Sequence, residues 1–231
     1  MNLLTNENAD VVADVIKRRQ TYKVLATDEA LPALSSQQMK TCDAIVYEAI
    51  KTAGWAPFHY DRAADGMAEP WRVDFVGQAS CRRVAERFFD WFDDVKLNNK
   101  LPSMLTACGS LVLVSWLPQF SGTGQLEGNQ SLEKRQQIDE EHLAATAAYV
   151  QNLLLLLTAQ GLGTYWSSGG QFRTQKMRQR LGVTHEGRLL AAVFVDYSPA
   201  CQACQRLAGK QRDRRDANCG WLNQVDCDAF S

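Results

Sequence analysis

Two clusters of cationic side chains stand far apart in this chain. Lys17-Arg18-Arg19 lies near the N-terminus, and Arg206, Lys210, Arg212, Arg214 and Arg215 crowd the tail. Adjacent guanidinium groups grip a phosphate through forked hydrogen bonds. Between the clusters lie two stretches rich in aromatic and hydroxyl groups, Trp55-Ala56-Pro57-Phe58-His59-Tyr60 and Thr164-Tyr165-Trp166-Ser167-Ser168-Gly169. A cofactor carrying a phosphate and an aromatic ring would use all of these. It would bring the difficult chemistry, and the protein would supply position and electrostatics. A plainer reading stands beside each piece. Cations at a helix end offset its dipole, aromatic loops plug the edges of cores, and His59 alone specifies nothing.

Other chemistries lack their residues. There is no G-x-S-x-G elbow and no Walker-A run. Gly161-Leu162-Gly163 resembles part of a dinucleotide fingerprint, but it closes a helical run, whereas a phosphate wants the electropositive start of one. Cys201-x-x-Cys204 is a single pair after Pro199, in a chain with only three histidines. A structural zinc site needs two more ligands at matched spacing, and a redox pair would open a helix after a strand. These thiols read as structural or incidental, and no metal is expected.

The element that must position the chemistry is Asp139–Gly170. It opens with Asp139, Glu140 and Glu141, which suit the positive end of a helix dipole. From Leu143 to Ala159 it is almost uncharged, with Ala and Leu on every side, and a helix apolar all round is normally buried all round. Gly161 and Gly163 end it, and a short strand then enters the hydroxyl-rich loop. A membrane span is the alternative, but the run carries Thr146, Tyr149, Gln151, Asn152 and Thr158 and falls short of the roughly 20 mainly apolar residues a bilayer needs. Whether a second subunit also covers it, periodicity does not decide.

Around that segment, Asp10–Arg19 has helical spacing on Val11, Val12, Val15 and Ile16. Ser35 or Ser36 caps a helix running to about Thr52 and closed by Gly54. Trp71–Val76 alternates as a half-buried strand. Ala79 to about Asn98 is an amphipathic helix with Val84, Phe88, Phe89, Trp91, Phe92 and Val95 inward. Ser110–Leu117 and Leu189–Tyr197 are continuous apolar runs, as in central buried strands. Gln119–Gln130 is a flexible excursion, and Thr174–Leu181 a short basic helix closed by Gly182. Three or four strands interleaved with about five helices predict one α/β-type domain over 1–231.

Composition sets the class. With 45% hydrophobic and 22% charged residues, the chain has a soluble globular balance and enough apolar material for a core without disulfide staples. A net charge of -1 speaks against a nucleic-acid surface over the whole protein. The tail cluster could instead meet an acidic partner in a salt-sensitive contact. MNLLTNENADVV has no charged and apolar leader pattern, and seven scattered cysteines, an odd number, suit reduced thiols; a cytoplasmic protein with no membrane partner is expected.

Several stretches, in order, resemble the FMN-dependent nitroreductase family. Ile16-Lys17-Arg18-Arg19-Gln20 resembles its Arg-Arg-Ser phosphate element. Ala56-Pro57-Phe58-His59 with Glu69-Pro70-Trp71 resembles its Ala-Pro…Gln-Pro-Trp flavin loop. Ala159 to Gly169 (AQGLGTYWSSG) resembles the end of its central helix, Val195–Pro199 the end of a strand, and Lys210-Gln211-Arg212 its C-terminal Lys-x-Arg pair. The resemblance implies an α+β sandwich with a mostly antiparallel sheet flanked by helices, forming a homodimer with FMN at the interface. It implies that Arg18, Arg19, Gln20, Lys210 and Arg212 surround the phosphate. It also places His59 and Glu69 near the ribityl chain and ring, with Trp166, Ser167, Ser168 and Gly169 flanking the flavin. Hydride would pass from NADH or NADPH through FMN to a small electron acceptor such as a nitroaromatic or quinone, by a ping-pong route and without a protein acid or base. Three residues depart from the pattern. Gln20 lacks the serine hydroxyl, Glu69 replaces a glutamine and would oppose an anionic reduced flavin, and Asp196 replaces a glycine. The alternative they suggest is a fold kept for binding or interaction, with its redox activity weakened or lost.

Overall fold

Six helices and six strands form among the residues that the computed structural model describes, namely 7–26, 35–62, 66–92, 100–119, 131–197, 204–223 and 225. The two continuous apolar runs are indeed central. β3 (Ser110–Trp116) pairs with β5 (Arg188–Asp196), β2 (Trp71–Gly77) flanks β3, and β4 (Gly163–Ser167) flanks β5, all antiparallel. Their apolar runs are unbroken because helices cover both faces. Val112, Val114, Ala191, Val193 and Val195 join one core with α2 (Ser36–Ala53) and α5 (Leu132–Ala159). Leu111, Leu113, Ala192 and Phe194 join another with α3 (Gln78–Trp91), α4 (Lys100–Ala107) and α6 (Gln175–Leu181). The architecture is an α+β sandwich, helices on an antiparallel sheet on helices.

Local signals decide several ends. Ser35 caps α2 with a reciprocal box: the Gln38 amide donates to Ser35 Oγ at 3.2 Å and the Ser35 amide to Gln38 Oε1 at 2.9 Å. Thr174 caps α6, and Gly182 closes it in the left-handed region, φ +73°.

Four expectations are corrected. α5 begins at Leu132 under a Ser131 cap, so Asp139, Glu140 and Glu141 lie within the helix rather than at its start. Nor is it buried all round: Tyr149, Leu153 and Leu157 are in the core, while Leu143, Ala144, Gln151 and Ala159 are exposed. α5 is long and apolar enough to cross a bilayer, yet it also buries Arg135, His142 and Thr146 inside the protein, as a core helix does. Phe89 is 51% exposed, because the inward stripe of α3 runs Cys81, Val84, Ala85, Phe88 and leaves it one step off. Val95, residues 120–130, Ser198, Pro199 and Cys201 lie outside the described residues.

Sequence periodicity missed α4 and a second, two-stranded sheet, β1 (Tyr22–Ala26) with β6 (Cys204–Ala208). Tyr22 stands opposite Ala208 and Ala26 opposite Cys204. This ribbon leans on α4, with Val24 against Ala107 and Ser103 Oγ donating to the Ala26 carbonyl at 3.2 Å. α1 (Glu7–Arg18) leads into it.

Candidate cofactor site

The β1–β6 register is what brings the two cationic clusters together. β6 ends opposite the start of β1, so the tail turns back over residues 17–21. One more rung follows, with the Gly209 amide donating to the Thr21 carbonyl at 2.9 Å. Arg212, in a short 3-10 turn, then donates to the carbonyl of Arg19 at 2.7 Å and to that of Lys17. A parallel bridge between Thr21 and Thr164 ties the segment to β4. Residues 193 apart in sequence thus meet beside the exit of the central helix.

Side chains alternate along 18–22, and a hollow opens on each side. Arg19 and Thr21 line one of about 510 Å³, with Ile16, Gln151 and Leu154 of α5, Trp166, Ser168 and Arg215. Arg18, Gln20 and Tyr22 line the other, about 660 Å³, with Lys17, Arg212, Asp196 and the turn from α5 to β4. Arg19 Nη1 lies 3.5 Å from Thr21 Oγ1. Its guanidinium holds its proton less tightly than usual, first because burial strips water from it, then because Arg212 and Arg215 stand close. Arg18 makes an exposed ion pair with Asp14 at 2.5 Å. Like charges gathered in this way are relieved by a bound anion.

β4 and its loop also contribute to the lining. Trp166 and Ser168 line the Arg19 hollow, and the Trp166 indole N–H donates to the Leu190 carbonyl at 3.4 Å. Ser167 is not among the lining residues; its hydroxyl accepts from the Gly169 amide at 3.2 Å. Gly169 has φ +106°, and a Cβ there would stand 2.4 Å from Leu189 Cδ2, so this turn needs glycine. A volume near 510 Å³ falls within the usual range for small-molecule sites. With guanidinium groups and hydroxyls around an indole, the hollow fits a phosphate joined to a flat ring.

His59 and Glu69 lie elsewhere in the chain. His59 is exposed and packs on Tyr60 with ring centres 4.5 Å apart, and the Tyr60 hydroxyl accepts from Lys134 Nζ at 2.9 Å. Next to Glu69, the Pro70 carbonyl accepts from the Leu117 amide, and the Leu117 carbonyl meets His142 Nδ1 at 3.1 Å. From His142 to Gln151 is about 14 Å along α5. Lys210 is exposed and lines neither hollow. One chain therefore gathers Arg19, Trp166 and Ser168 in one hollow and Arg18, Gln20 and Arg212 in the other. Thr21 and Gln151 were not among the expected site residues, and Arg215 was expected only as one member of the tail cluster. For Thr21 the signal was there, since it stands two residues from Arg19 and extended chain puts such residues on one side.

The model of the nitroreductase family matches residues 37–197. This chain belongs to the nitroreductase family. Over 195 residues it is 22% identical to "Putative NAD(P)H nitroreductase YfhC" of Bacillus subtilis (strain 168), covering 81% of this chain and 84% of that one. The crystal structure of the nitroreductase-like family protein from Bacillus cereus matches with a TM-score of 0.54 at 20% identity, over 94% of this chain and 97% of that one. That likeness is one of fold. The family match leaves out both cationic ends, 17–21 and 209–215, so their meeting rests on the structure alone.

Proposed function

We propose that this chain is a flavin-dependent oxidoreductase that binds FMN in the Arg19 hollow, draws hydride from NADH or NADPH and passes it to a small acceptor such as a nitroaromatic or quinone. The observation that carries the reading is the convergence of Arg19, Thr21 and Arg215 beside Trp166 and Ser168. Arg19 and Arg215 hold the phosphate as charged donors, and Thr21 Oγ1 adds the hydroxyl that Gln20 does not supply. Trp166 gives the ring a flat apolar neighbour, and Ser168 and Gln151 hydrogen-bond its polar edge. The bound flavin would supply the hydride chemistry; the side chains' part is to hold the phosphate, orient the ring and keep water out.

A homodimer belongs to the same reading. No described side chain of α1 is buried, and Val11, Val12 and Ile16 are 62%, 56% and 48% exposed. A helix that presents its apolar side to water calls for a cover. A second copy would supply it, and would also bring His59 and Glu69 toward a ring they do not approach within one chain. The test of the activity is anaerobic addition of NADH or NADPH to the FMN-loaded protein. Bleaching of the flavin is expected, whereas a flavin that binds and stays oxidised would leave a binding protein on a nitroreductase fold.

A further inference from the structure

We infer that His142 of α5 is a positioning residue for Glu69: through Leu117 and Pro70 it sets where that carboxylate is presented to the ring of a bound flavin. The inference rests on the flavin reading above, in which a second copy brings Glu69 toward the ring. Directly after β3 the chain runs Leu117-Pro118-Gln119, and three separate elements grip its backbone. The Leu117 amide donates to the Pro70 carbonyl at 2.8 Å, one step beyond the Trp71–Trp116 rung of β2 and β3. The Leu117 carbonyl accepts from His142 Nδ1 at 3.1 Å. Arg62 Nε donates to the Pro118 carbonyl at 3.1 Å, and the Gln119 amide donates to Asp139 Oδ1 at 2.6 Å. Arg62 also closes its own loop, its amide donating to the Ala68 carbonyl at 2.9 Å. A chain of two hydrogen bonds thus leads from α5 to the residue beside Glu69.

The ring's own chemistry fixes the sense of this contact. A carbonyl oxygen only accepts, so Nδ1 carries the proton that His142 gives to Leu117. In a neutral ring Nε2 is then a bare acceptor, and it has no partner among the described residues, in a side chain with 0% exposure. Burying such an acceptor costs stability, and an apolar side chain of similar size would avoid that cost. What no apolar side chain supplies is the donor to Leu117. Asp139 and His142 are three residues apart, so both hold the segment after β3 from one face of α5. α5 is itself anchored, with the Tyr149 hydroxyl donating to the Ile50 carbonyl of α2 at 2.9 Å. The backbone at Glu69 is therefore tied to the core. Its carboxylate opposes the negative charge that a flavin gains on reduction, so the place where it is held tunes how readily FMN is reduced.

Ring nitrogen chemical shifts of the wild-type apoprotein report the tautomer; Nδ1–H is expected, and Nε2–H would overturn the inference. Hydrogen exchange at the Leu117 amide is followed in wild type, H142L and H142N, whose side-chain amide can still donate from the Nδ1 position. H142L should speed exchange about ten- to hundredfold, while H142N stays within about threefold of wild type. The midpoint potential of bound FMN is then measured in wild type, H142L, E69Q and the double variant. H142L and E69Q should each raise it, because a carboxylate turned to water or removed opposes the charge less. H142L should add nothing where Glu69 is already replaced. An H142L shift of equal size with and without Glu69 would overturn the inference, since His142 would not act through that carboxylate. So would an H142L potential equal to wild type, or an H142N that exchanges as fast as H142L, since bulk rather than the donor would then matter. The tautomer needs no variant and decides even where H142L fails to fold. A wild-type protein that binds no FMN ends the flavin reading, and the tautomer and exchange, measured without ligand, still decide whether His142 holds Leu117.

Discussion

Neutralising Arg19 and neutralising its neighbour Arg18 should have unequal consequences, although the two are adjacent and chemically identical. Arg19 is half-buried, lines the hollow with Thr21 and already feels Arg212 and Arg215. A unit charge about 4 Å from an anion interacts by about 4 kcal/mol at an effective dielectric of 20, against about 1 kcal/mol in water. Water and the remaining cations recover part of that when the side chain is lost. A net loss of about 1.5–3 kcal/mol, typical of a hydrogen bond to a charged group, is the working figure, or roughly ten- to 150-fold in FMN affinity for Arg19→Gln. Arg18 faces the other hollow, its side chain is 54% exposed, and it pairs with Asp14 at 2.5 Å. Across the segment and through solvent its charge is largely screened, so Arg18→Gln should change FMN affinity less than about threefold. Quenching of FMN fluorescence on titration measures both, with riboflavin as the phosphate-free control. Equal losses for the two variants would refute the alternation argument, as would an Arg19→Gln that weakens riboflavin as much as FMN.

Three further outcomes follow from the packing. Gly169→Ala should cost about 1–3 kcal/mol in backbone strain and about 1–3 kcal/mol more from the Cβ against buried Leu189; Gly170→Ala, at φ +49° with nothing within 4 Å, should cost only about 1–2 kcal/mol, and paired urea melts compare them. Leu157→Ala, at a side chain with 0% exposure between α5 and the sheet, should lower stability by about 2–5 kcal/mol in the same assay. Val12→Asp puts a charge on the uncovered side of α1 and should shift sedimentation from dimer toward monomer with little loss in monomer stability; an unchanged sedimentation coefficient would remove α1 from the interface.

Much of the sandwich was legible because its signals are local. SLVLVSW and LLAAVFVD are apolar at consecutive positions, which a strand needs only when both faces are covered. Ser35 with Gln38, and Thr174 with Gly182, mark helix ends by side chains that bond their own backbone. The ribbon was not legible. YKVLA and CQRLA have little alternation, and each is a strand only because the other lies beside it. The start of α5 was misplaced for a related reason: three acids inside a helix look like a dipole signal, and only the cap bond from the Lys134 amide to Ser131 Oγ at 3.2 Å reveals the true end. In the site, residue types were readable and sides were not. Arg18, Arg19 and Gln20 are adjacent in sequence, but the extended path after α1 sends them to different hollows, and that path is held by Arg212 from 193 residues away.

We propose that FMN binds in the hollow lined by Arg19, Thr21, Arg215, Trp166 and Ser168. The most direct measurement is the visible absorption spectrum of the purified chain, before and after incubation with FMN and gel filtration. Flavin bands that travel with the protein at about one FMN per chain, and are lost in Arg19→Gln but retained in Arg18→Gln, are the expected result. A colourless protein that emerges from the column without flavin after incubation would contradict the account.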